Sequence, residues 1–178
     1  MAFPKWQSFL DVWDKEFVMP TATYIALANL TLTSSDASVE FTSIPNTYRD
    51  LVLVAQTKAT GNTYGRVRVN GDTGSNYVRI RMFGNSGGAS SGVNTLTAFD
   101  LSDLNTTDWN FDTLHFLDAS ATDKSKTVLI RSSQTNVSEV SAQAGRFASS
   151  SAISSITILT NSNAFEVGST FALYGIVS

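Results

Sequence analysis

From residue 23 to residue 177, apolar and polar residues alternate in short runs broken by turn chemistry. That period of two constrains the fold more than any other feature of the chain. Val67 and Val69 alternate with Arg66 and Arg68, and Val78, Ile80 and Met82 with Arg79 and Arg81; the alternation around Ile156 and Ile158 is less clean. Leu51-Val52-Leu53-Val54 is a continuous apolar run, as expected of a strand covered on both faces. Strands are predicted over 23–32, 38–43, 50–58, 65–70, 76–83, 93–100, 112–118, 125–132, 137–147, 153–160 and 170–177. Their separators, among them Ser34-Ser35-Asp36, Pro45-Asn46, Thr60-Gly61-Asn62, Asn70-Gly71-Asp72 and Asn161-Ser162-Asn163, are turn formers. No amphipathic helix separates the strands, which argues against parallel βαβ units. The expectation is an all-β domain over 21–178, an antiparallel two-sheet sandwich of jelly-roll-like type.

The first 20 residues have a different period. Phe3, Trp6, Leu10, Trp13 and Phe17 follow spacings of three and four, and Phe9 and Val12 widen the stripe. Pro4 suits a first helical turn and Pro20 forbids much continuation, so a short amphipathic helix is predicted over 4–18. A helix this short is marginal alone in water and must pack on something. It either folds back on its own domain or anchors the protein to a partner or to copies of itself. Its polar face carries Asp11, Asp14 and Glu16 against Lys5 and Lys15, which disfavours a membrane surface.

Composition narrows the chemistry. Of 178 residues, 57 are Ser, Thr or Asn, only 15% are charged, and the net charge is −3. That balance excludes a generally basic nucleic-acid binder but not a local basic patch. With no cysteine and one histidine, thiol nucleophiles, zinc–thiolate sites and histidine-rich metal centres are excluded. No apolar run reaches the roughly 18 residues of a membrane span, and the N-terminus lacks the layout of a signal peptide.

Few residues carry a catalytic pattern, and no catalytic residue, metal or cofactor is assigned. The glycine-rich stretch 84–92 has no lysine and no following helix, so it reads as a flexible loop rather than a phosphate cradle. His115 lies in a strand pattern opposite Leu114 and Phe116 and reads as structural. No serine sits in a nucleophile-elbow pattern. Asp100, Asp103, Asp108 and Asp112 could supply a glycosidase pair or calcium ligands, but they read as turn and strand-end residues. Asp72 with Asn70, Ser75 and Asn76 is a second weak cation candidate.

The most specific local feature is the two Arg-x-Arg pairs around the turn 70–76. If their strands form a hairpin, Arg66, Arg68, Arg79 and Arg81 share one face and repel unless something acidic covers them. The cover is either protein carboxylates such as Glu40, Asp118 or Glu139, or an anionic ligand such as an acidic surface polysaccharide. Nucleic acid fits less well, because no aromatic stripe accompanies the arginines. Tyr64, Phe83 and Trp109 lie in or beside the expected exposed loops 60–65, 84–92 and 103–111 and could stack on a sugar.

Three stretches carry a resemblance: Phe41-Thr-Ser-Ile-Pro-Asn-Thr-Tyr-Arg-Asp-Leu-Val-Leu-Val54, Val69-Asn-Gly-Asp-Thr-Gly-Ser-Asn-Tyr77 and Gly168-Ser-Thr-Phe-Ala-Leu-Tyr-Gly-Ile176. Over about 23–178 the chain resembles small β-rich virion proteins of tailed bacteriophages, especially aquatic phages such as cyanophages. The resemblance implies a virion structural role as a symmetric oligomer, a trimer in the simplest case, assembled in the bacterial cytoplasm. It implies other virion proteins, and in a tail fibre a host surface glycan, as partners. The leading expectation is a short tail-fibre or adhesin-like component anchored or oligomerised through residues 1–20. The alternative is a capsid decoration protein, and a glycan-degrading enzyme is the remote third.

Overall fold

A computed structural model describes residues 22–85, 88–135 and 140–177. The predicted N-terminal helix, with Phe3, Trp6, Phe9, Leu10, Trp13 and Phe17, lies outside the described residues, as does Glu139. The described residues form strands β1 (Tyr24–Thr31), β2 (Ser38–Phe41), β3 (Asp50–Thr57), β4 (Thr63–Val69), β5 (Tyr77–Asn85) and β6 (Gly88–Leu96). These continue into β7 (Phe99–Leu104), β8 (Asn110–Leu117), β9 (Lys126–Gln134), β10 (Val140–Phe147), β11 (Ile156–Thr160) and β12 (Thr170–Ile176). All pairings are antiparallel, in an eight-stranded sheet ordered β1-β12-β3-β8-β9-β10-β5-β6 and a four-stranded sheet ordered β2-β11-β4-β7. The two-sheet sandwich is as the alternation predicts. Its strands, divided eight and four, outnumber the eight of a jelly roll.

The core lies between the sheets. Leu51, Leu53, Leu114, Phe116, Val128, Ile130, Phe171 and Leu173 from the large sheet meet Val67, Val69, Phe99, Leu101, Ile156 and Ile158 from the small one. Each set occupies alternate positions of its strands, which is how a period of two becomes a buried layer about 10 Å thick. Phe99 meets the Tyr77 ring edge-on at 5.1 Å, and a Cβ at Gly145 on β10 would come within 2.6 Å of the Phe99 ring. Gly145 is therefore glycine because an aromatic ring fills the place of a side chain.

Two sequence expectations change here. The segment 93–100 is the end of β6 and the start of β7, one strand in each sheet, broken at Thr97-Ala98. The glycine-rich stretch 84–92 is not a loop across its length. Gly88–Leu96 pairs with Tyr77–Asn85, because the small residues between its glycines still permit ladder hydrogen bonding at a sheet edge.

The turn after β4 is a folding device. Asn70 sits at φ +53° and Gly71 at φ +66°. Asn70 Oδ1 accepts from the Ser154 and Ser155 amides at 2.8 and 3.1 Å, and its Nδ2 donates to the Ala152 carbonyl at 2.8 Å. Asp72 caps the same turn, accepting from the Gly74 amide and Asn76 Nδ2, both at 2.8 Å. Of the proposed cation ligands, Asn70, Asp72 and Asn76 are thus engaged with backbone and with one another. Asn70→Ala loses the three Asn70 bonds and a fourth, from the Ser154 hydroxyl at 3.3 Å, and places a Cβ-bearing residue without a polar side chain in the left-handed region. The expected loss is roughly 2–3 kcal/mol in a urea unfolding curve, and Asn70→Gly should recover about 1 kcal/mol of it.

Candidate functional site

The arginine pairs do not form a shared hairpin. β4 belongs to the small sheet, where it pairs with β11 and β7, and β5 belongs to the large sheet, where it pairs with β10 and β6. The four arginines therefore start from opposite layers. Val67 and Val69 point into the core and Arg66 and Arg68 away from it. β5 is set the other way round: Tyr77 is in the core, Arg79, Arg81 and Phe83 share its face, and Ile80 and Met82 face outward. The reason is position. β5 and β6 form one end of the large sheet, next to the edge strand β7 of the small one, so the inner face of β5 is a half-solvated rim where guanidinium groups are tolerated.

At that rim one carboxylate joins the two layers. Asp100 on β7 pairs with Arg66 Nε at 3.3 Å and with Arg79 Nη2 at 3.0 Å. Arg79 Nη1 also donates to the Asp100 carbonyl and to Gln143 Oε1, at 3.3 and 3.2 Å. Burial pulls the Arg79 guanidinium below its usual pKa, Asp100 opposes that shift, and Arg81 adds to it. Tyr64 supports the Arg66 guanidinium, which lies 4.8 Å from its ring centroid and donates to its hydroxyl at 2.7 Å. The Arg81 guanidinium lies 4.7 Å from the Phe83 ring. The structure thus gathers Arg66, Arg79 and Tyr64 around Asp100 and stacks Arg81 on Phe83. Arg68 stands apart, opposite Thr157 of β11. Trp109 is elsewhere too, with Lys58 Nζ 5.3 Å from its ring centroid and Lys58 bridged to Glu166 at 3.0 Å. Of the residues placed in or beside the expected exposed loops, Tyr64 lies in β4 and Phe83 in β5; Trp109 lies between β7 and β8.

The acidic stretch does not converge on one cleft. Asp108 closes an Asx turn, where Asn105 Oδ1 accepts the Thr107 and Asp108 amides at 2.8 and 2.7 Å. Asp112 is buried between the sheets. It accepts from the Ser132 hydroxyl at 2.5 Å and from the Ser102 hydroxyl at 3.1 Å. Burial pushes its carboxyl up to about 6, against the hydrogen bonds from Ser132 and Ser102. Among the described residues no three His, Cys, Asp or Glu side chains gather as metal ligands.

His115 lies on the outer face, between the buried Leu114 and Phe116, with Nε2 3.7 Å from Asp50. Asp50 is held by Arg49 at 2.7 Å and by the Asp118 amide at 2.9 Å. Burial pushes its carboxyl up, but the hydrogen bonds from Arg49 and Asp118 outweigh that and leave it below its usual value. Lys126 is a feature the residue pattern alone did not single out. It is fully buried, and its ammonium donates to the carbonyls of Ala121, Lys124 and Ser150 at 2.6, 2.9 and 3.2 Å. The signal was its parity: Lys126 alternates in step with Val128 and Ile130.

Several large apolar side chains are exposed on the outer face of the large sheet. Register aligns Val54, Thr113, Arg131, Ala142 and Met82 in one row across five strands, and Val52, His115, Leu129, Ala144 and Ile80 in the next. Ile80, Met82, Leu129, Phe111 and Val140 are 51%, 59%, 44%, 44% and 64% exposed. An open groove of about 840 Å³ runs among Met82, Phe111, Thr113, Arg131, Val140 and Ala142. Large apolar side chains clustered on an outer sheet face mark a contact surface.

No family model, curated protein or solved structure matches the chain. Among the described residues no helix is long and apolar enough to cross a membrane.

Proposed function

We propose that this protein is a structural component of a tailed-bacteriophage virion, a short tail-fibre or adhesin-like part. The β-sandwich makes contacts with neighbours or the host surface, and residues 1–20 provide attachment or oligomerisation. The observation that carries the reading is the outer face of the large sheet, where exposed apolar side chains stand among arginines on a weakly charged, cysteine-free sandwich. The polar groups at Asp100, Asp112, Asn70 and Lys126 are engaged in holding strands and turns together. The resemblance of 41–54, 69–77 and 168–176 to small phage virion proteins points the same way. The rim at Arg66 and Arg79, backed by Tyr64, is where an acidic host glycan would be met.

The test is electron microscopy of intact particles with an antibody raised against residues 22–177. Label at the tail end is the expected result. Label spread over the head would replace the fibre by a capsid decoration protein that uses the same apolar face on head subunits. Particles without label would overturn the virion reading. For the rim, Arg66→Gln should weaken retention on a sulfated or uronic-acid polysaccharide column and flatten its salt dependence. Unchanged retention would remove the glycan contact.

A further inference from the structure

We propose that residues 1–21 of one copy cover the outer face of the large sheet of a second copy, so that the protein assembles by exchanging its N-terminal segment. The inference rests on that face being a contact surface and is independent of the virion assignment. Size is the first argument. A helix over 4–18 would be about 22 Å long, and the rows from β8 to β5 span three strand spacings, about 15 Å. The stripe Phe3, Trp6, Leu10, Trp13 and Phe17 needs an apolar bed, and Ile80, Met82, Leu129 and Val140 need a cover.

Charge agrees with that occupant. The polar side of the segment carries Asp11, Asp14 and Glu16 against Lys5 and Lys15. The outward positions of β9 and β10 carry Arg131 and Arg146, both exposed. Among the described residues the carboxylates beside this face are engaged, Asp50 by Arg49 and Asp118 by Lys124. An acidic amphipathic segment therefore fits better than a second copy of the same cationic face, which would set arginine against arginine.

Direction favours the neighbour's segment over the chain's own. β1 is the edge strand, and Tyr24 pairs with Ile176, which pairs with Asp50. From there β1 runs toward the Gln56 end of the sheet, the end where Phe111 and Val140 line the groove. The chain before Tyr24 thus leaves at the opposite end, about 13 Å below the row of Val54 and four strands, about 19 Å, to the side of β9. To cover its own groove the segment must reverse direction within residues 18–23. A neighbour placed beyond that end receives it with no reversal, and repetition of the same contact around a closed ring gives a symmetric oligomer.

The absence of native cysteine makes the test direct. The full chain carrying Leu10→Cys and Ala142→Cys is oxidised and run on a non-reducing gel, beside a control with Leu10→Cys and Thr157→Cys on the outer side of the small sheet. Disulfide-linked oligomers formed with Ala142 and not with Thr157 are the expected result. A disulfide within single chains would overturn exchange in favour of intrachain cover, and equal linkage in the control would overturn the site. Sedimentation of Met82→Asp/Leu129→Asp supplies the second readout. Both positions are exposed, so the circular dichroism of the sandwich is expected to stay unchanged while self-association weakens at least about tenfold, or 1.4 kcal/mol. An unchanged oligomer in this variant, or a monomeric full chain at about ten micromolar, would overturn the proposal.

Discussion

Phe99→Ala is expected to destabilise the sandwich by about 3–5 kcal/mol, the range for truncating a fully buried aromatic. Phe99 is completely buried, lies edge-on to Tyr77, and fills the space above Gly145 on the opposite sheet. Its loss removes the ring from the junction of β7, β5 and β10 and leaves a cavity lined by backbone that cannot collapse. For a domain of this size the melting temperature should fall by roughly 10 °C. Gly145→Ala should also destabilise, by about 1–3 kcal/mol, because its Cβ meets the same ring. The two sites are coupled, so Gly145→Ala should cost less in a Phe99→Leu background than alone. Strictly additive costs in denaturant unfolding would show that the ring and the glycine are not complementary.

Asp112→Asn is expected to stabilise the protein at neutral pH and to remove one component of its pH dependence. The folded carboxyl titrates near 6 against 3.8 for the free group, because burial disfavours its charge. A folded pKa above the unfolded one means that the native state binds the proton more tightly. The contribution is therefore most favourable below about pH 4 and is lost as pH rises through 6. The difference corresponds to roughly 3 kcal/mol. The neutral amide never meets that penalty, and the Ser102 and Ser132 hydroxyls can donate to its oxygen or accept from its nitrogen. The stability gap, variant minus native, should be small near pH 4 and open between pH 4 and 7. Urea midpoints across that range check it, and a gap that stays constant with pH would sink the assignment. Asp50 works in the opposite sense: its lowered pKa gives stability that is lost in acid, which is why the comparison is made between the two proteins and not within one.

Much of the architecture was legible in residue order. A period of two, interrupted by Asn-Gly, Pro-Asn and Ser-rich turns, specifies short antiparallel strands whatever their partners, since it reflects only the alternation of side chains along an extended backbone. The inward parity of Leu114 and Phe116 also assigned His115 to the other face. The same parity places Asp112 inward with Leu114, and Lys126 inward with Val128. Those two buried polar groups were therefore written in the chain, but the rule that apolar residues face in and charged residues face out hides them.

What residue order could not decide was which strands share a sheet. Arg66 and Arg79 stand 13 residues apart across a tight turn, and local geometry favours a hairpin between their strands. The structure instead sends β4 to the small sheet and β5 to the large one, and Asp100 bridges them from a third strand. That choice depends on pairings across long stretches of chain, such as β4 with β11 and β3 with β12, whose energies appear only when the whole core closes. It also decides the facing of β5. In alternation alone, Ile80 and Met82 belong inside and the arginines outside; beside the edge of the small sheet the inner face is a rim, so Arg79 turns toward Asp100, Arg81 onto Phe83, and the apolar residues toward solvent. Residue order was enough for most strands and turns and for the alternation of side chains along them. Only the tertiary structure decided which parity is inside, because inside is defined by what lies across the sheet and not by the strand.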